Sequence, residues 1–317
     1  MQCAIEICRH GARAPTRPFP FLHPSWHSMP LGALTNTGAK QQFSLGSSLR
    51  KRYLALLPPT YSPLYVQVVS SSTARARDSG LWQLFGLYPH LAKELLGVDV
   101  TIDSVDMRLL SRVKQWPGEV NDKFLKGYKH YKERAADMLE ATQCSEYQQK
   151  EQAWASSLFP GVSKAAVVEV KSIAEAADIS SALDCEVAAG RALPVDVSES
   201  MYAELQKVHA FEKFTVPFRK RKACNSSVSA LFTDIMAVMN RPQPQFKLYS
   251  GHDTTLAAVL MYIGVQMETV PPFASTLLLE MDSKGLVHCS FDGKCVSGKH
   301  LQFPCQRQEL EAKLAID

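Results

Sequence analysis

Three short polar segments carry the side chains that could do chemistry. The first is Arg9-His10-Gly11-Ala12-Arg13-Ala14-Pro15, directly after a strand-like stretch at residues 3–8. A neutral imidazole can attack phosphorus, and guanidinium forks match phosphate oxygens in pairs while staying charged at any working pH. Gly11 permits close backbone approach, and Pro15 stiffens the exit from the loop. On its own, an Arg-His-Gly tripeptide reads more readily as a solvated basic turn. The second segment, residues 70–78, places hydroxyls, Arg75 and Arg77 where a strand gives way to a helix, a natural anion site. Alone, those arginines are equally well surface charges. The third is Ser250-Gly251-His252-Asp253-Thr254-Thr255, again between strand and helix. In isolation it reads as a helix cap beside a structural histidine. Together the three supply a nucleophile, a cationic cradle and a proton donor, enough for phosphoryl transfer without a metal.

Such groups need a scaffold that brings strand ends together. Alternation and β-branching at residues 2–8 predict a buried strand. Leu45, Leu49 and Tyr53 recur every four residues and predict an amphipathic helix over 39–57, stopped by Pro58-Pro59. A strand over 64–69, a polar turn at 70–73 and a helix over 74–87 follow. Residues 90–235, rich in Lys, Glu, Gln and Ala as in 123–140 and 147–156, read as mainly helical. From residue 245 the β rhythm returns: strands at 246–249, 274–281 and 286–291, and a helix over 254–262. This order predicts an α/β core, residues 1–90 and 236–317, interrupted by a mainly helical insertion or cap at 91–235.

Bulk properties leave that reading open and exclude others. The 317 residues suffice for a large core, and 46% hydrophobic with 21% charged residues is ordinary for a globular chain. A net charge of +4 is too small to argue for nucleic acid or an anionic membrane. The longest apolar stretch, 256–265, is far short of a bilayer span. Met1 leads straight into the first strand, so no signal peptide is read. The chain is therefore expected to be cytoplasmic, or a mature or shortened form of a longer precursor. Eight cysteines without a Cys-x-x-Cys pair or zinc-finger spacing predict no metal site. Cys3 and Cys8 read as packed thiols. Disulfides among the later six would imply an oxidising compartment, and Asn225-Ser226-Ser227 is a glycosylation acceptor pattern that fits secretion.

With these residues in place the sequence resembles the histidine acid phosphatases, the branch of the histidine phosphatase superfamily that includes prostatic and lysosomal acid phosphatases and phytases. Arg9 to Pro15 meets the family pattern R-H-G-x-R-x-P in full, and His252-Asp253 meets its H-D pair. Leu34-Thr35-x-x-Gly38, Leu49-Arg50-Lys51-Arg52-Tyr53 and Pro271-Pro272-Phe273-Ala274-Ser275 extend the likeness at both ends of the chain, and it thins in the middle. The resemblance implies a three-layer, phosphoglycerate-mutase-like sandwich and an acid phosphatase acting through phosphohistidine. In it His10 is the nucleophile, Arg9 and Arg13 hold phosphate, His252 adds a hydrogen bond and Asp253 protonates the leaving alcohol. The third phosphate arginine, closing an R-S-T-x-x-x-R pattern, falls on Arg77, with Arg75 as a near competitor. Two positions depart from the family: Ser71 replaces the first arginine of that pattern, and Thr276 replaces a cysteine.

The resemblance also implies no cofactor, and small-molecule phosphomonoesters, with phosphoproteins as a second class, as partners. It excludes nucleic acid and leaves a homodimer open. A lysosomal, secreted or cell-surface location follows. Rival readings are a phytase, whose basic mouth the stretch at 214–222 could supply, although that stretch reads more readily as a solvated loop; a phosphoglycerate-mutase-like phosphotransferase; and a non-catalytic phospholigand-binding protein.

Overall fold

A computed structural model describes residues 1–126, 139–194, 196–243 and 245–315. Its centre is β1 (Cys3–Arg9), whose seven residues are all buried. A strand covered on both faces can be apolar throughout, and β1 nearly is. β2 (Val66–Ser70), β3 (Glu119–Val120), β4 (Gln245–Gly251), β5 (Thr276–Met281), β6 (Leu286–Phe291), β7 (Lys294–Cys295) and β8 (Cys305–Gln306) complete the sheet. The order is β3-β2-β4-β1-β5-β6-β7, with β8 on β6. β1 to β4 are mutually parallel, while β5 and β6 run antiparallel.

Helices cover both faces. α1 (Asn36–Arg52), α2 (Ala74–Leu87) and α3 (Pro89–Leu96) lie on one side with Ala4, Cys8, Val68 and Leu248. On the first two, glycines replace side chains at the crossing. A Cβ on Gly46 would sit 2.0 Å from the Gln83 carbonyl, and one on Gly86 2.1 Å from that of Phe43. The opposite face, with Ile5, Ile7, Tyr249 and Leu279, carries α9 (Arg221–Met239), α10 (Asp253–Ile263) and residues of α11 (Arg307–Ala315). Between the two halves come α4 (Asp122–Leu125), α5 (Ser145–Ser157), α6 (Phe159–Ala166), α7 (Ile173–Ala188) and α8 (Glu199–Ala210). α5 to α8 share a hydrophobic cluster of their own that ends at Val216.

The expected strand–helix rhythm is therefore present. The helix read at 39–57 starts earlier, because the Thr35 hydroxyl caps the Gly38 amide, and it ends before Pro58 at Arg52. Most of the stretch 123–140 lies outside the described residues. β3 joins the main sheet and α9 packs on its face, so helical packing separate from the core spans about 139–216. All eight cysteines are free thiols, and Cys185 and Cys224 lie in helices. The acceptor triplet at Asn225 also lies within α9. Ser227 is buried there and donates to the Ala223 carbonyl, so it forms no surface loop. Among the described residues no helix is long and apolar enough to cross a membrane.

Candidate active site

β4 lies between β2 and β1, so the carboxyl ends of three parallel strands stand side by side. Open α/β sheets bind ligands where the strand order reverses in this way. Arg9 pairs with Gly251 in the register, and the His10 amide donates to the Gly251 carbonyl at 3.0 Å. The Ser71 amide donates to the Ser250 carbonyl at 3.2 Å. All three polar segments thus meet at one edge.

His10 is 2% exposed, and its Nδ1 lies 2.9 Å from its neighbour's carbonyl, Gly11 O. A proton on Nδ1 satisfies that carbonyl and leaves Nε2 with a free lone pair. Burial, then the charges of Arg75, Arg9, His252 and Arg13, hold the imidazole well below its ordinary 6.5. The loop around it is pinned from several sides. Gln42 Nε2 donates to the Arg9 carbonyl at 2.9 Å, the Ala12 amide donates to Gln41 Oε1 at 2.9 Å, and the Gly11 amide donates to Ser79 Oγ at 3.1 Å. A Cβ on Gly11 would lie 2.2 Å from the Gly38 carbonyl, so α1 touches the loop backbone directly.

Arg9 is 2% exposed, and its Nη2 lies 3.0 Å from Asp253 Oδ2. Its other nitrogen Nη1 donates to the Pro271 carbonyl. Arg13 donates to the Ala14 carbonyl at 2.9 Å and to Ser181 Oγ at 2.8 Å, with Cys185 Sγ 3.5 Å away. The Phe273 ring lies over Arg9 at 4.2 Å and over Arg13 at 5.9 Å; its centroid is 5.8 Å from that of His10. Its turn is anchored to the nucleophile, since the Ala274 amide donates to the His10 carbonyl at 3.2 Å with Ala274 at φ +62°. A left-handed alanine is strained, a condition found at functional sites.

His252 stands edge-on to His10, with centroids 5.5 Å apart, and its Nε2 is 2.9 Å from Ser71 Oγ. The hydroxyl at Ser71, where the family pattern has arginine, thus orients the second histidine. Asp253 opens α10, where a carboxylate is favoured by the helix dipole. Burial pushes its carboxyl up, but Arg9, His209, His252 and Arg13 together outweigh this and hold it well below the ordinary range.

The two competing arginines part company on α2. Arg75 is one helical turn from Ser79, which faces Gly11, and it is the leading charge acting on His10. Arg77 is exposed and its charge acts on Asp78. Arg75, rather than Arg77, therefore stands beside His10.

Sequence reasoning passed over several residues that reach this edge. From α7 come Ser181, Asp184 and Cys185; from α8 comes His209, buried, with Nδ1 3.8 Å from Asp184 Oδ2. Nothing in a helix pattern marks them, because they come from a different packing unit. Arg219 and Lys220, of the basic stretch at 214–222, pair with Glu146 and Glu140. Among the described residues no group of three His, Cys, Asp or Glu side chains could hold a metal ion.

A family model described as histidine phosphatase superfamily, branch 2, matches residues 1–181, and the chain belongs to that family. It is 28% identical over 295 residues to human testicular acid phosphatase (Homo sapiens), covering 86% of this chain and 66% of that protein. To mouse (Mus musculus) prostatic acid phosphatase it is 25% identical over 302 residues, covering 87% and 73%. The chain thus spans just under two thirds of the testicular enzyme's length. The fold is shared with a Hafnia alvei phytase in complex with myo-inositol hexakis sulphate (TM-score 0.69, 16% identity, 100% and 96% coverage). A Citrobacter braakii phytase aligns with TM-score 0.65 and 16% identity over 92% and 84% of the two chains.

Proposed function

We propose that this protein hydrolyses phosphate monoesters through a phosphohistidine on His10. The observation that carries the reading is the Gly11-anchored imidazole within the field of three arginines, one of which holds Asp253, at one strand edge. The family and the acid phosphatases it resembles support it. Arg9, Arg13 and Arg75 hold the phosphoryl oxygens, in a role first expected of Arg77, and His252 adds a hydrogen bond.

The His10 Nε2 lone pair forms the N–P bond as the ester P–O bond breaks. The departing oxygen takes a proton from the Asp253 carboxyl. Water then attacks phosphorus, gives its proton to the Asp253 carboxylate, and the N–P bond breaks to release phosphate. In the free protein Arg9 keeps Asp253 ionised. Phosphate draws Arg9's charge to itself, and a monoanionic ester brings the missing proton with it. Acidic conditions favour the reaction for that reason.

Residues 139–216 act as a cap over the site through α7 and α8, a trimmed form of the expected insertion. A lysosomal or secreted location agrees with the prostatic and lysosomal relatives. A metal-free assay on p-nitrophenyl phosphate at pH 4–8 tests the function. Turnover lost in His10→Ala supports it; wild-type protein that binds but never hydrolyses the ester refutes it.

A further inference from the structure

Which alcohol leaves is set by what surrounds Asp253. In-line displacement puts the departing oxygen opposite His10, on the Asp253 side of phosphorus. Arg9, which pairs with Asp253, also lines a cavity of about 250 Å3 that opens between the Phe273 turn and α7 and α8. Its walls include Phe273 and Val270 from the core and Asp184, Tyr202 and Gln206 from the helical side.

We infer that this cavity is the leaving-group subsite, and that it takes an uncharged, single-ring alcohol and turns away leaving groups that carry further phosphates. This rests on the hydrolase reading above. Charge is the first reason. Among the described residues lining the cavity, Arg9 is the cation, and it is engaged by Asp253; the anion is Asp184. Asp184 is already met by the Tyr202 hydroxyl at 2.7 Å and by the Gln206 amide, so neither donor is spare for an anion. A second phosphate would face the Asp184 carboxylate, and the Arg9 and Arg13 charges that act on that carboxylate are both assigned to the transferring phosphoryl group. Surface is the second reason. The Phe273 ring, seated over Arg9 at 4.2 Å, and Val270 present an apolar wall to a ring stacked beside them. Size is the third. A cavity of about 150 Å3 holds benzene, so 250 Å3 has room for one ring.

The experiment compares kcat/KM for phenyl phosphate and inositol hexakisphosphate in wild type, Phe273→Ala, Phe273→Leu and Asp184→Asn. A parallel arm measures binding of phenyl phosphate and inorganic phosphate to His10→Ala by calorimetry. Wild type should favour phenyl phosphate by more than tenfold. Phe273→Ala should lose roughly 3–10-fold on phenyl phosphate, mostly in KM, with Phe273→Leu in between and a smaller change in inhibition by inorganic phosphate. Asp184→Asn should narrow the preference by raising turnover of inositol hexakisphosphate. Equal or better use of inositol hexakisphosphate by wild type, or a ratio unmoved by either substitution, overturns the subsite. If no ester is turned over, the hydrolase reading fails instead, and the binding arm judges the cavity by itself. Phenyl phosphate binding no tighter than inorganic phosphate then overturns the subsite as well.

Discussion

His10 and Asp253 face opposite electrostatic problems, and one arginine bears on both. Arg9 adds to the positive field that keeps His10 neutral, and it holds Asp253 as the anion until phosphate claims it. The acid limb of kcat/KM should therefore lie far below pH 6.5. The basic limb should follow the second ionisation of the ester, about pH 6 for a phosphate monoester, and move when an ester of different pKa is used. A basic limb indifferent to the ester would place the essential proton on the protein. Asp253→Asn should slow alkyl esters by roughly 10²–10⁴-fold and esters with good leaving groups far less. Equal losses would remove Asp253 from the acid role. Arg75→Ala should cost roughly 10²–10³-fold in kcat, whereas Arg77→Ala should stay within a few-fold. These residues were legible from their motifs, with one exception. Choosing between Arg75 and Arg77 requires the helical phase of α2 relative to Gly11, which a pattern match does not carry. Asp184 and Phe273 were harder still, since their role comes from tertiary approach.

At the scale of elements, β1 has an unusual member. Glu6 is fully buried, and burial pushes its carboxyl up to about 7 against hydrogen bonds from Gln83 and Thr276 at 2.6 and 2.9 Å. The Thr276 hydroxyl thus serves this buried carboxyl. In the unfolded chain the group titrates near 4.5. The folded state thus binds its proton more tightly, so the stability it contributes is complete below pH 4.5 and is lost as pH rises through about 7. The loss is on the order of 3 kcal/mol. Glu6→Gln should flatten the fall in melting temperature between pH 5 and 8; an unchanged fall would assign it elsewhere. The α1–α2 crossing makes a second test. Gly86→Ala forces a Cβ onto the Phe43 carbonyl and should destabilise by about 1–3 kcal/mol in denaturant titration. Helix and strand positions were readable from periodicity because both faces of the sheet bury apolar side chains. That crossing was not, because a glycine notch leaves no period.

Across the whole molecule, the helices at 139–216 matter to the chemistry through what they project into the core. Ser181 and Cys185 meet Arg13, and Asp184 faces the cavity beside Arg9. Helical composition announced the unit itself. Its junction with the sheet was obscured because β3 and α9 return to the core within the same helical-looking stretch. The central claim is covalent chemistry at one atom, His10 Nε2. Its most direct test mixes the protein with a radiolabelled phosphate monoester, quenches by rapid denaturation within a single turnover, and maps the label by peptide. Label on the peptide containing His10, absent in His10→Ala and persisting longer in Asp253→Asn, is the expected result. Ester hydrolysed with no label on that peptide at any quench time would contradict the account.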